Sequence, residues 1–381
     1  MMAGLETGRG TENVALNLIK YKPDDVEIII IEPIFTDGKR ISEKEIKATL
    51  GNTKIIKIDL PPVESESLIL KLYNLFFRKA ILKYVKNVKE TNVYNEIRNT
   101  DVVYLFYNLY SAFFSNLQIP IIGSLHTDNL RVFALYNHRN SIRGIYFKMK
   151  QKMYYKNING LHLFFDKSDV MIKPDIRYKM ILSNGVDTSI YYPNYNVKNE
   201  RKKFLFNAAL SSKKGLDVLL PIINKFKGDT TIEFHVAGNG EMEDEIRRNE
   251  RIIYHGTLSD LELAKLYREC DIFIYPTGGD TYPLVVLQAL SSGLYVLTSD
   301  LLMGVFDDFK GKYLEYLPRS VEAFYNRLVE ISKNSRAINY DKREEYNYVK
   351  SKYDWKVISN KFYDYIKKFY DENSRIYGDI L

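Results

Sequence analysis

Short apolar runs alternate with longer stretches in which apolar residues recur at helical spacing, and this alternation continues almost to the C-terminus. Runs of the first kind read as buried strands and the intervening stretches as amphipathic helices. In the first half the pattern predicts strands at Val26–Glu32, Lys54–Leu60, Val102–Tyr107, Pro120–His126, Gly160–Phe165 and Met180–Ser183. In the second half it predicts Lys203–Ala208, Thr231–Ala237, Ile252–His255, Ile272–Pro276, Tyr295–Ser299 and Lys312–Tyr316. Strands separated by helices imply an α/β fold with parallel sheets. The series restarts after the polar, proline-containing stretch Tyr191 to Asn196, which marks a domain boundary. Two successive series of about six strands predict two Rossmann-like domains, residues 1–192 and 193–345, followed by a C-terminal helical segment, 346–381. Only Met1 to Leu5 precedes the glycine turn at Gly8-Arg9-Gly10, so the first strand is expected to be short or missing.

Composition narrows the class. At 381 residues the chain is long enough for two domains with separate cores. No apolar run approaches the roughly 20 residues that span a bilayer. The N-terminus shows no basic segment followed by an apolar stretch, so no signal peptide is expected. The single cysteine, Cys270, excludes an internal disulfide and a multi-cysteine metal site. It lies in the helix-like stretch Leu261–Cys270 and reads as a buried inert thiol, in keeping with a cytoplasmic location. The net charge of +7 comes entirely from residues 1–190, while residues 191–381 are balanced. The excess is densest between Lys71 and Lys156, which points to an acidic partner such as a membrane surface, a phosphorylated acceptor or nucleic acid.

The segment Asp271 to Gly293 carries the most chemistry. An apolar strand ends at Pro276, a glycine-containing loop follows, and a helix begins with Thr281 as the expected N-cap and Pro283 in its first turn. A helix start at the C-terminal edge of a parallel sheet offers backbone N–H groups and a positive dipole end to a phosphate or diphosphate. Asp280 stands in the loop beside such a ligand, and Gln288 lies one to two turns into the helix. An ordinary strand–loop–helix connection would have the same grammar.

The segment resembles the donor motif of family-4 retaining glycosyltransferases of the GT-B fold. In that family a Pro-Ser strand end is followed by Glu, seven residues, Glu, and a helix running to Gly-x-Pro-Val. Pro276-Thr277, Asp280-x7-Gln288, Ala289-Leu290 and Gly293 to Val296 occupy those places. Other matches follow in order. Asn184 to Asp187, with Tyr192-Pro193, is similar to the family's hinge motif, and Leu210 to Gly215 to the loop that brings a lysine, here Lys214, to the donor diphosphate. Val236 to Gly240 and His255 to Ser259 match the next two strand ends, and Tyr353 to Trp355 resembles the start of the helix that crosses back to the first domain. In the N-terminal half, Gly8 to Glu12 resembles the glycine loop near the reacting centre, and His126 stands where the family places a histidine close to the donor sugar.

The resemblance implies two Rossmann-like domains facing each other across a cleft, with a C-terminal helix returning to the first. It also implies transfer of a sugar from a UDP- or GDP-linked donor to a hydroxyl of a glycan or lipid-linked glycan, with retention and no covalent nucleophile. The donor phosphate oxygen would help deprotonate the acceptor, and domain closure would expel water. The roles carried over are catalytic for His126, Lys214 and Asp280, and donor-binding for Gly10, Ala209, Lys214, Gly238, Gly256, Asp280, Thr281, Tyr282, Pro283, Leu284 and Gln288. No metal or cofactor is implied. Two departures stand out. Ala209 replaces an arginine that faces the diphosphate, and Gln288 replaces the carboxylate that holds the ribose, keeping an acceptor oxygen but no charge. Asp280 keeps the first carboxylate but is one methylene shorter. These features leave a second reading open, a nucleotide- or glycan-binding module without turnover. The basic aromatic stretches Leu68–Lys89 and Arg139–Lys156 suit an anionic membrane surface, giving a protein peripheral at the membrane. No nucleic-acid partner is expected, because no recognition motif accompanies the charge.

Overall fold

A computed structural model describes residues 10–34, 53–59, 99–106, 119–125, 157–165, 176–196, 199–334 and 340–378, with a few single positions between them. The glycine turn before Gly10, His126, and nearly all of 68–89 and 139–156 lie outside the described residues. The chain divides into two units, Met1–Ser183 with Ile358–Leu381, and Asn184–Val357. The first boundary thus falls before the tyrosine-rich stretch rather than at residue 192, and the return falls after 346. The reason is local pairing. Val186 N–H donates to the Tyr353 carbonyl at 2.8 Å and Trp355 N–H to the Val186 carbonyl at 3.1 Å, so residues 184–191 and 353–355 stay with the second unit.

In the first unit, helix α1 (Gly10–Lys20) buries Val14, Ala15, Leu18 and Ile19, one face of a helical repeat. Strands β1 (Ile29–Ile34) and β2 (Lys54–Asp59) pair in parallel, as do β3 (Val103–Leu105), β4 (Ile121–Ser124), β5 (Gly160–Leu163) and β6 (Tyr178–Ile181). Every residue of β3, β4 and β5 is buried, as strands covered on both faces require. His162 of β5 sits in this core. Its Nε2 lies 2.7 Å from the Leu182 carbonyl, which can only accept, so Nε2 carries the proton and Nδ1 accepts from the Tyr104 hydroxyl at 2.5 Å. Burial lowers its pKa to about 4 and keeps the ring neutral.

The second unit contains six parallel strands in the order β9-β8-β7-β10-β11-β12, the doubly wound arrangement. They are β7 (Lys202–Asn207), β8 (Ile232–Ala237), β9 (Ile252–Tyr254), β10 (Ile272–Tyr275), β11 (Tyr295–Ser299) and β12 (Leu314–Leu317). The connecting helices are α2 (Leu216–Lys225), α3 (Glu243–Arg248), α4 (Asp260–Glu269), α5 (Leu284–Ser291), α6 (Val321–Lys333) and α7 (Lys342–Tyr353). Strands β10 and β11 are buried at every position, whereas the edge strand β9 exposes Ile253. Helix α4 starts at a capping box: Glu262 N–H donates to Ser259 Oγ, and Ser259 N–H donates to the Glu262 carboxylate at 2.9 Å. Cys270 follows it, fully buried, and burial pushes its thiol up.

Helix α8 (Trp355–Gly378) begins in the second unit and packs in the first. Ser359 and Tyr363 donate to the Leu18 carbonyl at the end of α1, at 3.3 and 2.9 Å, and Tyr178 of β6 donates to the Tyr365 carbonyl at 2.8 Å. Phe369 lies against Gly160, where an added Cβ would come within 2.8 Å of its ring. The chain therefore returns to its first sheet, as expected of the C-terminal helix. Among the described residues no helix is long and apolar enough to cross a membrane.

Candidate functional site

In the second sheet β7 and β10 are neighbours, and the strand order runs outward from them in both directions. Right-handed crossovers then send α2 and α5 to opposite faces, which opens a crevice beyond the C-terminal ends of these two strands. The loops 208–215 after β7 and 276–283 after β10 meet there. Gly215 makes the meeting possible. Its φ of 108° lies in the left-handed region, and a Cβ on it would stand 2.5 Å from the Pro276 carbonyl oxygen. Two further bonds join the loops, from Gly278 N–H to the Lys213 carbonyl at 2.8 Å and from Thr277 Oγ1 to the same carbonyl at 3.4 Å. Ser299 Oγ of β11 holds the Thr277 carbonyl at 2.7 Å.

This stitching brings Lys214 and Asp280 together, with Nζ 2.5 Å from Oδ2 and about a quarter of each side chain exposed. The Tyr275 hydroxyl donates to the same oxygen at 2.9 Å, and Thr281 N–H donates to Oδ1 at 3.0 Å. Burial, reinforced by the Asp280 charge, pushes the Tyr275 phenol well above its ordinary range, so it stays protonated as a donor. Helix α5 begins just beyond. Its N-cap is Pro283 rather than the expected Thr281, and no side chain caps it. Thr281 lies two residues before that cap, with its own N–H donated to Asp280. Among the described residues no side chain caps this start, and of the first-turn N–H groups Val286 donates to the Pro283 carbonyl at 3.2 Å.

The other expected donor-site residues divide. Gly238 and Gly256 end β8 and β9 on the same edge of the sheet, and Gly238 N–H donates to the Gly256 carbonyl at 2.8 Å. Gly238, at φ 121°, leaves no room for a side chain, since a Cβ would lie 2.0 Å from the Ala208 carbonyl oxygen. Just beneath them His235 Nδ1 and His255 Nε2 are 3.0 Å apart, and burial holds both imidazoles below the usual range. Ala209 is exposed and brings no charge, and Gln288 is half-buried on α5. Tyr282 is buried against Phe306, with ring centroids 4.8 Å apart, and its carbonyl accepts from Asn184 Nδ2 at 3.3 Å. Pro283 is buried and Leu284 half-buried at the helix start. Gly10 opens α1 in the first unit, and His126 is outside the described residues.

Two residues at the site escaped the sequence reading. Tyr275 looked like one more apolar strand residue, although a tyrosine at a buried strand end does call for a partner for its hydroxyl. Arg319, between β12 and α6, bonds to both loops and carried no local signal.

The profile of the family Glycosyl transferases group 1 matches residues 201–334, the stretch that builds this crevice. Among curated relatives, the sulfoquinovosyl transferase SQD2 of Arabidopsis thaliana is 26% identical over 47% of this chain and 38% of its own length. The alpha-monoglucosyldiacylglycerol synthase of Streptococcus pneumoniae is 25% identical over 49% and 46%. The chain thus spans less than half the length of these relatives. Among solved structures, sucrose-phosphate synthase from Thermosynechococcus elongatus superposes with a TM-score of 0.74 at 12% identity, covering 97% of this chain and 98% of that one. Anabaena HepE in complex with UDP and glucose gives 0.67 at 14% identity, covering 96% and 98%. Residues 201–334 form a glycosyl transferases group 1 domain, carried on a chain with the two Rossmann-like sheets of the GT-B glycosyltransferase fold.

Proposed function

We propose that this chain is a glycosyltransferase that moves a sugar from a nucleotide-diphosphate sugar to an acceptor hydroxyl with retention at the anomeric carbon. The observation that carries the reading is the Lys214–Asp280 pair beside the uncapped start of α5, at the switch point of the second sheet. In the reaction the bond between the anomeric carbon and the phosphate oxygen breaks. The acceptor oxygen bonds on the same face, and its proton passes to the departing phosphate oxygen. Charge accumulates on the diphosphate as it leaves, and Lys214 with the α5 N–H groups stabilises it. Lys214 must therefore turn from Asp280 toward the diphosphate, while Tyr275 and Thr281 N–H keep Asp280 in place for the sugar hydroxyls. His126 is assigned a positioning contact to the sugar, and Gln288 an uncharged contact to the ribose. The reading includes no resident metal or cofactor.

The complex of Anabaena HepE with UDP and glucose supports UDP-glucose as the first donor to assay, with a GDP-sugar beside it. A relative named for a glucosyldiacylglycerol product supports a lipid-linked hydroxyl as first acceptor, which suits a protein peripheral to an anionic membrane on its cytoplasmic side. Calorimetry with UDP and GDP followed by transfer assays tests the proposal. Lys214→Ala is expected to lower kcat/KM for the donor by roughly 100- to 1,000-fold, the worth of one preorganised stabilising group. Unaltered kinetics would remove the role given to Lys214. Ala209 and Gln288 favour the second reading, a nucleotide-binding module, and nucleotide binding with no transfer to any acceptor would select it.

A further inference from the structure

Arg319 lies between β12 and α6, with its side chain 22% exposed. Its guanidinium touches both loops of the switch point. Nε donates to the Pro276 carbonyl at 3.1 Å, at the start of the loop that carries Asp280. Nη2 donates to the Ser212 carbonyl at 3.1 Å, two residues before Lys214. The same Nη2 lies 2.7 and 2.9 Å from the two carboxylate oxygens of Asp217 in the first turn of α2. Asp217 neutralises the cation, so its charge is not spare for a diphosphate. What remains is a rigid planar fork joining two backbone segments that no secondary structure joins. The fork adds to the two loop–loop bonds at the Lys213 carbonyl, and it comes from a third connection, 43 and 107 residues away in the chain. A lysine reaching the same place presents one nitrogen and cannot hold both directions of the fork.

We propose that Arg319 is a positioning residue of the donor site, fixing the spacing of the two loops so that Lys214 and Asp280 meet and one diphosphate can lie against both Lys214 and the start of α5. The inference rests on the donor-site reading, and it explains how a site with Ala209 in the arginine place keeps its remaining cation in register. Arg319 supports that cation through the backbone of the loops.

Two measurements test it. Hydrogen exchange needs no ligand. In Arg319→Gln the Gly278 amide, which bonds the Lys213 carbonyl, is expected to exchange about tenfold faster than in the wild type, with core strands such as β11 unchanged. Calorimetry with UDP, and with GDP as the second nucleotide, is expected to show affinity falling about tenfold or more in Arg319→Gln. Arg319→Lys should recover only part of it, with both variants melting above the assay temperature. Wild-type exchange at Gly278 and affinity within twofold of wild type in a folded Arg319→Gln protein would overturn the proposal. A wild-type protein that binds neither nucleotide would instead refute the donor-site reading, and the exchange result would still judge the loop clamp. If Arg319→Gln does not fold, Asp217→Ala leaves the guanidinium its two carbonyl bonds and removes both carboxylate acceptors. A measurable rise in Gly278 exchange then supports the proposal, and none overturns it.

Discussion

Glu345 gives the sharpest energetic test of the second unit. It lies on α7, the helix that packs along α5, and its side chain is fully buried. Neither carboxyl oxygen has a hydrogen-bond partner. Burial pushes its carboxyl well above the usual carboxylate range, and the nearby Lys342 charge offsets this only in part. The sign follows directly. The folded protein holds this proton while the unfolded chain, with an ordinary glutamate, releases it above about pH 4.5, so unfolding releases a proton in between. Stability from this group is complete below that pH and declines by about 1.4 kcal/mol per pH unit as pH rises toward the folded pKa, levelling off beyond it. Each such pH unit corresponds to roughly 3 to 6 °C in the melting midpoint of a unit this size. Glu345→Gln keeps the shape and cannot ionise. Denaturant unfolding of both proteins in half-unit steps upward from pH 4.5 should show wild-type stability falling away from that of the variant with this slope. Parallel profiles would refute the claim that Glu345 is carried protonated in the fold.

Gly238→Ala forces a Cβ toward the Ala208 carbonyl at a φ of 121°, so it should destabilise the second unit by about 2 kcal/mol or more and weaken nucleotide binding with it. Thermal melting and calorimetry read both, and an unchanged melting midpoint would contradict the close approach. Tyr275→Phe removes a donor to Asp280 without leaving a buried polar group behind, so its stability cost is about 1 kcal/mol. Its larger effect should be on transfer, because a less constrained Asp280 lowers kcat more than it raises KM for the donor; equal kcat in variant and wild type would remove Tyr275 from the site.

The strands were legible because each is a short apolar run ended by polar or glycine residues, and each of those expected is present within a few residues. Where edges moved, the cause lies elsewhere in the chain. Strand β6 starts at Tyr178 rather than Met180 because the Tyr178 ring packs on Phe369 and its hydroxyl reaches the Tyr365 carbonyl, partners supplied by α8. The cap of α5 also moved. Propensity favours threonine at an N-cap, but the helix runs from Leu284 with Pro283 as its cap, two residues beyond Thr281. At the site, Lys214 and Asp280 were legible because each stands in a loop whose glycines and strand ends carry their own signal. Arg319 was not, since its contacts at Pro276 and Ser212 are 43 and 107 residues away in the chain. A local motif identifies the loops that offer charge to a ligand. The spacing between those loops is a tertiary quantity, set here by Gly215 against Pro276 and by one guanidinium arriving from a third connection, and in the proposed donor site the affinity for a diphosphate would depend on that spacing as much as on the charges themselves.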